Sequence, residues 1–391
     1  MKVLIVGAGI AGPTLAYWLL RAGHEPTLVE RAPELRAGGY LVDFWGAGFD
    51  VAERMGIVPD LRRLGYVFTE ARAVDRDGHR LASLNPSAVM GSTQRYVSIA
   101  RSDLAAVIYD ALGGAAELIL DDTVDALVDD GDQVRVSFES GQTRDFDLVV
   151  GADGLHSRVR KLTFGSDERF EKYLGIVVCA FEAEGYRPRD ELIAMMHAEV
   201  GFQAVRLSLR DDVTLFLLTV RHHGAVPTDD RAAQQALLRT RLADRGWETP
   251  AILDLMPRAK GFYFDSVSQI RMPSWTRGRV ALVGDAAACP SFLAGQGSAL
   301  AMVECYTLAA ELSRCTDHRE AFARYQERLA PLLRSKQDAA LGLGLAFAPK
   351  NSRQLFIRNL VMRGMGLPKV AELVMGKSFR DAVELPAFAA A

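Results

Sequence analysis

The sequence predicts an α/β fold: a Rossmann-like nucleotide domain interrupted by an inserted β-sheet domain and followed by C-terminal helices. Three observations point there. The first thirty residues read as strand, glycine turn, helix and strand; two later segments repeat a buried strand followed by a turn with glycine and aspartate; and strand-type sequence fills the space between those two. A chain of 391 residues, 49% hydrophobic and 24% charged, has the ordinary composition of a globular protein and room for two or three domains.

The opening run MKVLIVGAGIAGPTLAYWLLRAGHEPTLVE describes a dinucleotide site. Val3 to Val6 is a short apolar run suited to a parallel strand covered on both faces. Gly7, Gly9 and Gly12 follow with G-x-G-x-x-G spacing, with Ala11 inside the motif. The first glycine permits the tight turn, the second lets backbone approach a pyrophosphate, and the third lets helix and strand pack closely. Phosphate then sits at the helix N-terminus. Glu30 ends the next strand, where an acid accepts hydrogen bonds from an adenosine ribose.

Several function classes find no support. Lys2 and the apolar stretch after it resemble a secretory signal, but the helix-breaking glycines and the continuation into a strand argue against one. No window carries the roughly 18 uninterrupted apolar residues of a spanning helix, so stable membrane insertion is not expected. A net charge of −3 gives no reason to expect nucleic acid as a partner. Cys179, Cys289, Cys305 and Cys315 are scattered without metal-ligand or disulfide spacing, so no metal is expected and a cytoplasmic protein with reduced thiols is. Neither a Ser-His-Asp order nor a G-x-S-x-G elbow is found.

Residues 121–147 read as a β-meander of TVDALV, QVRVSF and RDFDLVV, with DDGD and ESGQ turns. The last of these strands runs into Gly151-Ala152-Asp153-Gly154, followed by Ser157 and Arg160. Later, GRVALVGDA places a buried strand before Gly284 and Asp285, and apolar periodicity then predicts a helix from about residue 297 to 312.

In order and spacing these three segments resemble the class A flavin-dependent monooxygenases, the group typified by p-hydroxybenzoate hydroxylase. The motifs are the N-terminal G-x-G-x-x-G, the central ADGLHSRVR and the later GDAAACPSFLAGQG, and the likeness covers roughly residues 1–335. FYFDSVSQIRMPSWTRGRVALVGDAA, with CPS and GQG soon after, looks most like actinobacterial antibiotic-tailoring enzymes and tetracycline-inactivating flavoenzymes.

The resemblance implies noncovalent FAD, NAD(P)H as a transient co-substrate, and O2 chemistry through a flavin C4a-hydroperoxide on an aromatic or polyketide-like small molecule. It places Gly7, Gly9, Ala11, Gly12 and Glu30 on the ADP half of FAD, with Arg31 beside the adenosine. Arg101 reaches the pyrophosphate or ribityl region, where a planar guanidinium fork suits phosphate oxygens. Asp153 and Gly154 serve both FAD and the nicotinamide cofactor; Gly284 and Asp285 meet a ribityl or ribose hydroxyl. Gly295, Gln296 and Gly297 approach the isoalloxazine before a helix whose N-terminus faces the N1/C2 carbonyl and stabilises the anionic reduced flavin. No catalytic acid or base is assigned.

The implied division is a discontinuous FAD-binding domain (1–72, 98–170 and 271–331), a substrate domain (73–97 and 171–270) and a helical segment (332–391). In the substrate domain Met195, Met196, Phe202, Phe216, Phe262 and Phe264 are candidate cavity walls, since sites for polycyclic substrates need apolar surfaces that exclude water. Phe292 joins them from the flavin side. Residues 36–48, with Tyr40, Phe44 and Trp45, run beside the flavin ring in the family. His222 and His223 read as a surface turn. After Leu332 a basic amphipathic helix is expected, with Arg353, Arg358 and Arg363 on its solvated face as it docks across the substrate opening.

Three departures from the family pattern concern the oxygen-reacting edge. Ala288 stands where many members have His, Phe292 where a proline commonly packs, and Ala299 where Asn is frequent. They motivate an alternative, a non-oxidative enzyme such as a cyclase that keeps FAD as a platform. A drug-sequestering flavoprotein without turnover is a third possibility.

Overall fold

The computed structural model describes residues 1–35, 40–86, 95–365 and 383–389, apart from the side chain of Leu345. Arg36 to Gly39, the start of the loop expected beside the flavin, lie outside the described residues.

A six-stranded sheet carries the three glycine-bearing segments. Its order is Thr276–Arg277, Val280–Leu282, Leu148–Gly151, Lys2–Val6, Glu25–Glu30 and Glu117–Leu120, parallel throughout except for the antiparallel first pair. The two apolar central strands are buried on both sides, as a parallel sheet covered by helices requires. Because Val6 pairs with Gly151 and Gly151 with Leu282, the three strands end level. Gly7, Asp153 and Gly284 therefore leave the sheet along one carboxyl edge, where open α/β sheets bind ligands.

The meander forms, but not as one continuous third strand. Val124–Asp129, Val134–Phe138 and Thr143–Phe146 make a separate three-stranded sheet, and Leu148–Gly151 belongs to the six-stranded one. The break falls at Asp147, whose carboxylate accepts from the Lys2 N–H at 2.6 Å. A local acid thus ties the transition to the start of the chain, something strand propensity does not reveal.

The second large unit is a seven-stranded sheet, ordered Lys260–Ile270, Glu171–Glu184, Val213–Arg221, Phe202–Ser208, Ile193–Glu199, Glu70–Val74 and Arg80–Leu84. Its two faces are packed differently. On the outer face Val177, Cys179, Phe181, Phe202, Phe216 and Leu218 form one cluster with Leu238, Leu242, Ile252 and Leu253 of helices Arg231–Leu242 and Thr249–Leu255. On the inner face Ala180, Val205, Leu207 and Leu215 pack with Phe68, Tyr40, Met196 and Tyr263.

A two-stranded ribbon, Leu41–Trp45 against Tyr96–Ala100, spans the interval between the two sheets. Val42, Phe44, Val97 and Ile99 point into the main core, so alternation turns Leu41, Asp43, Trp45, Tyr96 and Ser98 the other way.

The helix Gly297–Arg314 is buried along most of its length. The 30-residue helix His318–Phe347 ends against the large sheet, where Thr219 donates to Phe347 O and Arg221 to Ala348 O. In helix Ser352–Gly364 the expected polarity is partly inverted. Arg358 is buried, donating to Ala346 O, Gln203 Oε1 and Asn359 Oδ1, while Phe356 and Leu360 are exposed. The guanidinium can satisfy several carbonyl-type acceptors at once, and desolvation pushes its pKa down to about 10.

Candidate functional site

The glycine turn is built by steric necessity. Gly7 has φ +104°, and a Cβ there would lie 2.6 Å from Ala152 O; a Cβ on Gly12 would lie 1.9 Å from Gly7 O. At Gly9 the nearest atom to such a Cβ is Arg101 Nη2, at 3.7 Å. Gly9 thus faces open space with a guanidinium at its border. The helix Ala11–Arg21 starts without a side-chain cap and without an acid in its first turn, so its orphan N–H groups are left to an anion. Ala11 is buried at its start and accepts the Cys305 thiol at its carbonyl.

Glu30 is more than a strand-end carboxylate in solvent. Its Oε2 accepts from Ala8 N at 2.8 Å and its Oε1 from Ala32 N at 3.1 Å. The acid therefore fixes the glycine turn, and each of its oxygens keeps a second lone pair for a further donor. Arg31 beside it is exposed.

At the central motif, Asp153 turns its carboxylate onto its own chain. Oδ1 accepts from Ser157 Oγ at 2.5 Å, and Oδ2 from Arg158 N and Val159 N at 2.7 and 3.0 Å. This caps helix Arg158–Phe164 and shapes the turn through Gly154, whose φ is +78°. Burial nonetheless raises the Asp153 pKa, opposed by these donors.

The third motif is held from behind by a residue that sequence reading did not single out. Gly284 N donates to Glu304 Oε2 at 2.9 Å, and Tyr325 OH donates to the same oxygen at 3.2 Å. Glu304 is buried, which pushes its carboxyl up to about 8. Its signal in the sequence is one acid in the apolar run ALAMVECYTLAA. Asp285, half-buried, opens the short helix Asp285–Ala288 with Oδ1 close to Gly297. Gln296 is buried at the N-cap of helix Gly297–Arg314, and its Nε2 meets no partner among the described residues. An orphaned amide and two uncapped helix N-termini along one sheet edge fit a group rich in carbonyl and phosphate oxygens.

The family model described as FAD binding domain matches residues 1–334. A flavin-dependent monooxygenase from an unknown prokaryotic organism is 35% identical over 392 residues, covering 99% of both chains. The chain belongs to the class A flavin-dependent monooxygenases. Rv1260 of Mycobacterium tuberculosis, an uncharacterised protein, is 40% identical over 332 residues, 83% of this chain and 89% of its own. Among solved structures, the tetracycline destructase Tet(55) has a TM-score of 0.84 at 32% identity, covering 99% of this chain and 98% of its own. HpxO of Klebsiella pneumoniae, solved with FAD and uric acid, has a TM-score of 0.81 over 97% and 96% of the two chains, and at 22% identity it speaks for the fold alone.

FAD is the cofactor of this monooxygenase, and the residues just described fit it. Around the expected ring the structure gathers groups the sequence had not joined. Tyr40 packs between Tyr263 and Phe292, with ring centroids 5.0 and 5.6 Å away, and Phe292 in turn meets Phe347 at 6.1 Å. Burial raises both Tyr40 and Tyr263, the Arg101 charge alone pulling the other way among their neighbours. Asp265 accepts from Tyr263 OH at 3.4 Å and meets His156 Nε2 at 3.0 Å, linking the central motif to the large sheet.

Of the candidate wall residues, Met196 and Phe292 lie on this side. Phe202, Phe216 and Phe264 do not: they sit on the outer face of the sheet under the two helices, as does Phe262. The reason is strand parity. Tyr263 and Asp265 flank Phe264 and point inward, and an apolar strand buried on both faces hides which residues do so. Ala288 is buried and lines a small cavity of about 120 Å³ with Ile270, Met272, Trp275 and Gln337.

Among the described residues no helix is long and apolar enough to cross a membrane, and the four cysteines are free thiols. Asp75, Asp77 and His79 come within metal-ligating distance of one another on an exposed turn, but Asp75 Oδ1 is occupied by the Asp77 and His79 N–H groups.

Proposed function

We propose that this monooxygenase consumes NAD(P)H and O2 to oxidise an aromatic or polyketide-like polycyclic small molecule. The observation that carries the reading is the apolar inner face of the large sheet, with Met196, Leu207, Leu215 and Leu217, set opposite Tyr40 and Phe292 and bordered by Arg101 and Asp285. Bound FAD supplies two-electron transfer from the nicotinamide and activation of O2; the protein's part is to bind, orient and exclude water. The 32% identity to Tet(55) over nearly the whole chain supports a tetracycline-like substrate class, and the monooxygenase relatives favour oxygenation over a non-oxidative platform.

The same proposal includes noncovalent FAD, the site residues named above and the division into cofactor, substrate and C-terminal parts, with strand Glu70–Val74 lying across its first boundary. Gly12→Ala should abolish FAD retention, because a methyl group cannot stand 1.9 Å from a backbone oxygen. The function is tested by incubating purified holoenzyme with NADPH or NADH and a panel of tetracyclines and aromatic polyketides. Oxygen uptake matched by a product 16 mass units heavier, as addition of one oxygen atom requires, is the expected result. Substrate conversion at full rate without O2 or NAD(P)H would refute it.

A further inference from the structure

The ribbon between the two sheets carries one acid, and neither the sequence motifs nor the family likeness assigns it a role. On its site-facing side Asp43 stands between Leu41, which packs with the inner-face cluster of the large sheet, and Trp45. The Trp45 ring lies 3.7 Å from where a Cβ would stand on Gly295. Arg101 directly follows the partner strand, and its N–H donates to Tyr40 O. Asp43 is thus placed between the glycine that meets the flavin and the apolar face that meets the substrate.

Its carboxylate is half satisfied. Tyr96 OH donates to Oδ1 at 2.9 Å, and Ser98 Oγ donates to the same oxygen. No described residue donates to Oδ2, although Asp43 keeps some accessible surface. We propose that Asp43 binds the isoalloxazine, its Oδ2 accepting the hydrogen bond of the flavin N3–H.

The chemistry of the ring selects this partner. N3 carries the one N–H of the oxidised pyrimidine ring and lies between the C2 and C4 carbonyls. Were the C2 carbonyl held by the helix that begins at Gly297, the adjacent N3–H would need an acceptor of its own, and Asp43 would supply it. Partial burial raises the Asp43 pKa despite its two donors, so the charged form gains from any further donor. The cofactor supplies that third donor, so cofactor and residue complete one another. The inference rests on FAD binding at this edge and not on any substrate or on turnover.

The test is equilibrium binding of FAD and of 3-methyl-FAD to apoprotein, followed by flavin fluorescence, for the wild type and for Asp43→Asn and Asp43→Leu. The wild type should bind FAD about 10-fold or more tighter than the 3-methyl analogue, the range of a hydrogen bond to a charged acceptor. Asp43→Leu should weaken FAD by about 10-fold and abolish the preference. If that variant does not fold, Asp43→Asn decides. Tyr96 and Ser98 will keep its amide oxygen, turning an NH2 toward N3–H, so FAD should weaken by about 10-fold while 3-methyl-FAD barely changes. FAD affinity equal to wild type in a folded variant, or an undiminished preference over the methylated cofactor, would overturn the assignment. Because only cofactor affinity is read, such a failure leaves the proposed substrate chemistry untouched.

Discussion

The two faces of the seven-stranded sheet are both apolar, yet they do different work. The outer face is sealed by helices Arg231–Leu242 and Thr249–Leu255 and carries a buried arginine, Arg206, which reaches the partly buried Glu248 at 2.7 and 2.9 Å and also pairs with Asp190. The inner face meets Tyr40, Phe292 and the end of the long C-terminal helix. Aromatic size therefore does not identify a cavity wall in this fold. What separates the faces is whether their neighbours are a closed core or the residues proposed to surround the cofactor.

The largest effects should come from the outer face. Phe216→Ala, at a fully buried position, should cost about 3–5 kcal/mol of stability, read by denaturant titration of the holoenzyme. Its KM for substrate should stay near wild type wherever the protein remains folded. A change in KM without loss of stability would place Phe216 in the cavity and break the comparison. Glu248→Ala strips the Nη1 of a buried arginine of its carboxylate and should cost about 3 kcal/mol, near the low end for a broken buried pair because Asp190 remains. Equal stability would mean that Arg206 re-pairs or reaches water.

The contrast also explains what a sequence can disclose. The six-stranded sheet was legible because its turns admit few residues: Gly7 and Gly12 are forced by backbone atoms 2.6 and 1.9 Å away, and Glu30 ends its strand against Ala8 N. Phe202, Phe216 and Phe264 were misplaced because strands buried on both sides lose the polar alternation that reports parity. Glu304 acts through a backbone contact 20 residues away, and His156 meets Asp265 across 109 residues, so neither leaves a local pattern. Arg358 was assigned to solvent by charge, whereas carbonyl acceptors from two other elements hold it inside.

A smaller effect on stability, but a larger one on substrate, is expected at Met196. It is partly buried in the inner-face cluster, so Met196→Ala should cost less than the roughly 2–5 kcal/mol of a full core truncation. Substrate KM should rise several-fold while FAD affinity holds. Steady-state kinetics beside a thermal melt checks both. An unchanged KM for every substrate turned over would remove Met196 from the wall.

The smallest effect concerns His156, where the central motif touches the large sheet. The Asp265 carboxylate, reinforced by Glu171, raises the imidazole pKa above its ordinary 6.5 against partial burial and the Lys161 charge. A raised folded-state pKa means that the pair's contribution is fully present below about pH 6.5, the unfolded value, and is lost as pH rises through the folded one. His156 is about half exposed, so solvent screening limits that contribution to less than about 1 kcal/mol. His156→Gln should therefore destabilise the holoenzyme slightly at pH 6 and approach the wild-type melting temperature by pH 9. A gap between the two melts that stays constant across this range would show that the imidazole is not charged in the folded protein, and that Asp265 is held by Tyr263 and the Ser266 N–H instead.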